Sequence, residues 1–160
     1  MNEQTPLPSA KDVRELVEGL VGREVTVTTG GAMVDPAGGA LVGVYVDRRM
    51  RLVAMVLLDL PLAAGVGAAL GLVPARAAAE AVELRELPTN LSENAAEVLN
   101  VTASLFNAEG APHVRLDRVY QPFEPLASDL TPWVLSYVRR TDLTMEVAGY
   151  GEGAFSLLVV

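Results

Sequence analysis

The 160-residue chain contains no cysteine, which excludes a disulfide framework, a thiolate nucleophile and a Cys-ligated metal site. Histidine is almost absent too: the single one, His113, follows Pro112 at the entrance to a predicted strand. One imidazole without cysteine would leave a zinc site dependent on carboxylates in unusual number. A Ser-His-Asp triad would have to centre on His113, and no Gly-X-Ser-X-Gly elbow accompanies it. His113 therefore reads as a structural residue at a loop edge. No Gly-X-X-X-X-Gly-Lys-Ser/Thr loop is present, and Gly30-Gly31, Gly38-Gly39 and Gly149 to Gly153 lack the strand-to-helix context of a phosphate cradle. Turns explain all three.

A basic excess is also missing. The net charge is −8, against the positive face a nucleic-acid binder needs to neutralise phosphates, so no nucleic-acid partner is expected. Nor is there a long unbroken apolar run. Leu52 to Val73 is interrupted by Asp59, Pro61 and several glycines and reads as strand, turn and small-residue helix, so no membrane partner is expected either. The start, Met1 to Pro8, is polar and proline-bearing, unlike a signal peptide; a cytoplasmic location is expected, with the sequons at Asn90 and Asn100 as chance matches. Aromatics make up 5% of the chain against 51% hydrophobic residues overall, so the core should be aliphatic.

What is present organises as one domain over 1–160, with 1–8 expected to be a disordered lead. Ser9 and Asp12 form a capping-box-like start, and Val13, Leu16, Val17, Leu20 and Val21 recur at helical spacing up to Gly22. Residues 24–28 alternate as a strand. Residues 40–46 and 52–58 are near-continuously apolar strands, joined by the charged turn Asp47 to Arg51, and predict a central pair or a sheet covered on both faces. Asp59 can cap a helix with Pro61 in its first turn, rich in small residues that permit close backbone approach. Pro74 restarts a short helix, and 114–120 predicts a strand. A short helix is expected near 133–139, then a closing hairpin of 143–149 and 154–160. No internal repeat is legible. The order predicts an α+β fold with a mainly antiparallel sheet and helices packed against it.

The segment 90–107 is the most two-faced. At about 100° per residue, Leu91, Ala95, Val98, Leu99, Thr102, Leu105 and Phe106 share one side. Glu93, Glu97, Asn100, Ser104 and Asn107 share the other, with no Lys or Arg among them. Asn90 and Glu93 are spaced as a capping pair. Glu97 and Asn100, three residues apart, place a carboxylate beside a carboxamide on a face suited to presentation; a plain solvated face would show the same pattern.

Glu97-Val-Leu-Asn100 on an amphipathic helix resembles the active helix of the CheC/CheX/FliY bacterial chemotaxis phosphatases, and the single-site CheX-like branch most closely. In that family a Glu-X-X-Asn pair is often preceded by Asp or Ser four residues earlier and followed by a Pro some two dozen residues later. Here Glu93 occupies the earlier position, and Pro122 follows slightly early. The resemblance implies a CheC/CheX-like fold and hydrolysis of the phosphoaspartate of a CheY-type response regulator. Asn100 would orient the attacking water and Glu97 would pair with the regulator's Lys, with Glu93, Ser104 and Asn107 at the partner surface. It implies a phosphorylated receiver domain as partner, a homodimer, and no metal or other cofactor on this chain, Mg²⁺ being held by the regulator.

Two other readings stay open. One is a catalytically inactive CheX-like interaction module, an adaptor or dimerisation domain, favoured by Glu93 and the shortened spacing. The other is an unrelated α+β domain with a pocket around the helix at 61–72 and a buried Glu97. The apolar closing strand 155–160 would invite pairing at an edge or sit centrally under helices. Arg48, Arg49 and Arg51 form a solvated tip or dock an acidic partner. Trp133 and Tyr137 read as core or edge packing.

Overall fold

The computed structural model describes residues 4–160. Helix α1 (Ala10–Val21) opens with the expected reciprocal cap: the Ser9 hydroxyl accepts from the Asp12 N–H, and the Asp12 carboxylate accepts from the Ser9 N–H, both at 3.1 Å. It ends at Gly22, whose φ of +67° lets its N–H close onto the Glu18 carbonyl. Strands β1 (Val25–Thr29), β2 (Ala40–Val46) and β3 (Leu52–Asp59) follow. Asp59 caps α2 (Leu60–Leu70) by accepting from the Leu62 N–H at 2.9 Å. After α3 (Ala75–Leu84) comes α4 (Thr89–Thr102), which tightens into a 3₁₀ turn over Ala103–Phe106. Strand β4 (Arg115–Tyr120), the single-turn α5 (Thr131–Val134), β5 (Arg139–Val147) and β6 (Gly151–Val159) complete the chain.

The six strands form one antiparallel sheet in the order β1-β5-β6-β3-β2-β4. The architecture is α+β. On one face α1, α2 and α4 bury the main aliphatic core, with Leu41, Tyr45, Val56 and Leu157 contributed by the sheet. On the other, Val34 and the segment carrying Leu130 and Val134 cover Val42, Val44, Met55, Leu57 and Leu158. Burial on both sides is why β2 and β3 alternate so little. Among the described residues no helix is long and apolar enough to cross a membrane.

Exchanging β1 with β4, β2 with β5 and β3 with β6 turns the strand order into its own reverse. Each trio is preceded by a helix packed on the same core, α1 or α4. The chain is two topologically alike αβββ halves meeting at the β3–β6 pair, with α2 and α3 between them. The likeness is one of path, and it stands beside the absence of a legible repeat in the sequence. Topology depends on where apolar residues recur, not on their identity, so the two halves agree in path without agreeing in sequence.

Other expectations shift. The closing strand β6 lies between β5 and β3, so it is central and offers no free edge; β1 and β4 hold the edges. Edge pairing through residues 155–160 is thereby removed as a ground for self-association. The helix expected at 133–139 is a single turn ending at Val134, because Arg139 already pairs with Val159 in the sheet. The last hairpin turns at Ala148–Tyr150 rather than 150–153. Asn90 and Glu93 do not cap α4, whose N-cap is Pro88 with no side-chain cap bond. The disordered lead expected over 1–8 lies partly outside the described residues. Of the rest, Thr5 is buried and its carbonyl accepts from Arg139 at 3.1 Å, while the Pro8 carbonyl accepts from Thr141 at 3.0 Å.

Candidate functional site

Helix α4 is fixed along its inner face before anything is presented on its outer one. Leu91, Ala95, Val98, Leu99 and Thr102 are buried against α2 and the sheet. Near its start the Asn94 amide donates to the Gly67 carbonyl of α2 at 3.0 Å, and the Ser92 hydroxyl donates to the Gln121 side chain at 2.6 Å. Farther along, the buried Tyr45 hydroxyl donates to the Leu99 carbonyl at 2.7 Å, and Thr102 donates to the Val98 carbonyl at 2.6 Å. Burial raises the Tyr45 phenol far above its ordinary value, so it remains a neutral donor. Its ring also packs on Phe106 with centroids 5.1 Å apart. These anchors were not legible in the sequence, since Tyr45 and Ser92 are ordinary members of a strand and a helix until the chain folds.

On the outer face Glu93, Glu97, Asn100 and Ser104 are all exposed. None of the four side chains makes a hydrogen bond or ion pair among the described residues. The equivalent face of α1 differs. There Glu15 lies 3.8 Å from Lys11 and 3.9 Å from Arg14, and Glu18 accepts from the Val25 N–H at 2.9 Å. One half of the fold thus spends its helix carboxylates internally, whereas the other leaves them free.

Asn107, also exposed, differs from these four in having internal partners. Its amide donates to the Ala103 and Val114 carbonyls at 3.0 and 2.8 Å and accepts from the Val114 N–H at 2.8 Å. Its side chain clasps the end of α4 to the residue before β4. Glu93 instead shares a hollow with Pro122, Ser92, Gln121, Thr89 and Arg85, of about 470 Å³. Glu97 and Asn100 do not line this hollow.

The remaining sequence candidates resolve simply. His113 is exposed in the loop before β4. Trp133 is 36% exposed and Tyr137 94%, so neither is a core residue. The helix expected at 61–72 is α2, which ends at Leu70 and packs against α4 and α3, and Glu97 is exposed, which removes the basis for a pocket domain with a buried Glu97. Among the described residues no three His, Cys, Asp or Glu side chains gather as a metal site.

No family model and no curated protein matches the sequence. Solved structures match the fold over most of the chain. The FliM middle domain from H. pylori superposes with a TM-score of 0.62 at 10% identity, over 94% of this chain and 84% of that one. A chain of the FliM–SpeE complex from H. pylori gives 0.61 at 9% identity, over 94% and 80%. The chemotaxis protein CheX from Desulfovibrio desulfuricans gives 0.50 at 10% identity, over 92% and 93%.

Proposed function

Given the fold shared with FliM middle domains and CheX, we propose that this chain docks a response-regulator receiver domain on α4 and accelerates hydrolysis of its phosphoaspartate. The observation that carries the reading is the pair Glu97 and Asn100: exposed, one turn apart, free of internal partners, on a helix immobilised from behind. A receiver's phosphoaspartate already has its Mg²⁺ and Lys, so a phosphatase need only position an in-line water and complement charge. The Asn100 carboxamide does this without titrating, because its oxygen accepts from the water while its NH₂ donates nearby. Glu97 pairs with the receiver's Lys, a charge-assisted contact formed only in the complex. No step requires a metal on this chain.

A second reading, a docking module without turnover, is favoured by the greater likeness to FliM than to CheX. One of those FliM structures is a complex with SpeE. The residue Glu93 points the same way. Longer than Asp or Ser, it stands at the hollow beside Pro122, where it would meet an approaching partner first.

Decay of a phosphorylated receiver domain separates the two. Wild type should accelerate decay, and Asn100→Ala should reduce that acceleration on the order of 100-fold with binding retained, as expected for loss of a positioning group. Binding of receivers without faster decay would sink the phosphatase reading and leave the docking module.

A further inference from the structure

Arg48, Arg49 and Arg51 crowd the β2–β3 turn of a chain whose net charge is −8. The turn is built around Asp47. Its carboxylate accepts from the backbone N–H groups of Arg49 and Arg51 at 2.8 and 3.0 Å and from the Arg51 side chain at 3.0 Å. Asp47 is therefore committed to holding the turn. Arg48 and Arg49 are exposed and make no ion pair among the described residues. Together with Asp47, Arg51 and the loop Gly110–His113 they line a hollow of about 520 Å³, whose lining thus carries three guanidinium groups and one imidazole against one carboxylate. Arg115, at the start of β4, follows this loop.

We propose that this hollow docks an acidic segment of a protein partner. Concave surfaces concentrate the local potential, and a guanidinium fork matches a carboxylate in two-point geometry. Gly110 and Ala111 add no bulk that would keep a main chain away. The position adds a second argument. The Asn107 clasp sets the Gly110–His113 loop at the C-terminal end of α4, so a protein lying along the outer face of that helix reaches the hollow next. Nucleic acid is the poorer occupant, because the rest of this acidic surface repels a phosphate backbone running past the patch. The site does not depend on catalysis at α4.

The test is fluorescence anisotropy of the full chain with a labelled octaglutamate peptide, using octalysine and a single-stranded oligonucleotide as comparison probes. Octaglutamate should bind, and the pair Arg48→Glu with Arg49→Glu should weaken it about tenfold or more, as should raised salt. The control pair Lys11→Glu with Arg76→Glu makes the same net-charge change elsewhere and should leave affinity within about twofold. Arg48→Ala with Arg49→Ala checks the result without reversed charge, and Asn100→Ala should not alter peptide binding. Absence of octaglutamate binding, equal loss in the control pair, equally tight binding of the oligonucleotide, or displacement by equimolar inorganic phosphate would each overturn the proposal.

Discussion

Asp59 shows how one carboxylate couples folding to pH in an unusual direction. Burial raises its carboxyl above the ordinary value, although the N–H groups of Leu62 and Ala154 pull the other way. A group raised on folding binds its proton more tightly when folded. Its contribution is therefore fully present below the unfolded-chain value and is lost as pH rises through the folded one. Asp47 and Glu124 act oppositely: backbone N–H donors, from Arg51 and Gln121 respectively, lower both, so their contribution is lost as pH falls. Asp59→Asn keeps a cap acceptor and removes the charge. Urea melts across pH 4 to 7 should show the variant gaining on wild type as pH rises; a constant difference would refute this. Tyr45→Phe tests the anchor behind the outer face of α4. It should lower stability by about 1 kcal/mol for a lost buried hydrogen bond.

At the scale of elements, the crossing of α2 over α4 depends on an absent side chain. A Cβ at Gly67 would collide with the Leu91 backbone, and the Gly67 carbonyl is itself the acceptor for Asn94. Gly67→Ala should destabilise by about 3 kcal/mol, since backbone rather than a flexible side chain must move. Because α4 would shift with it, Asn94→Ala provides the milder comparison, expected near 1 kcal/mol. Denaturant midpoints for the two variants check both. Equal small losses would mean that the helices re-pack freely. The edge strand β4 is blunted in two ways: Arg115, Asp117 and Arg118 line it, and the register slips between Val44 and Tyr45, leaving Asp117 as the extra residue.

Over the whole molecule, the segment covering the second sheet face is stapled by a buried ion pair. Arg140 meets Asp142 at 2.8 and 3.0 Å and donates to the Val134 and Ser136 carbonyls, while Ser156 donates to Asp142 and accepts from the Val34 N–H. Both charged side chains are largely buried. Asp142→Ala leaves the guanidinium without its counter-charge and should cost about 3–5 kcal/mol. Thermal unfolding measures it, and a loss below about 1 kcal/mol would mean the pair is effectively solvated.

Local chemistry written in adjacent residues was legible in the chain alone. The Ser9–Asp12 cap, the Gly22 stop, the Asp59 cap, the strands flanking the arginine turn and the two faces of α4 each depend on residues within about one helical turn or one strand of each other. The exposure of Glu97 and Asn100 followed from the same periodicity. Tertiary structure alone decided what depends on distant partners. It set β6 at the centre of the sheet and showed two halves alike in path. It assigned Asn107 to a clasp with Val114, and joined the Arg48 turn to the His113 loop in one hollow. Those outcomes are selected by long-range strand pairing and shared burial, which spacing along the chain does not encode.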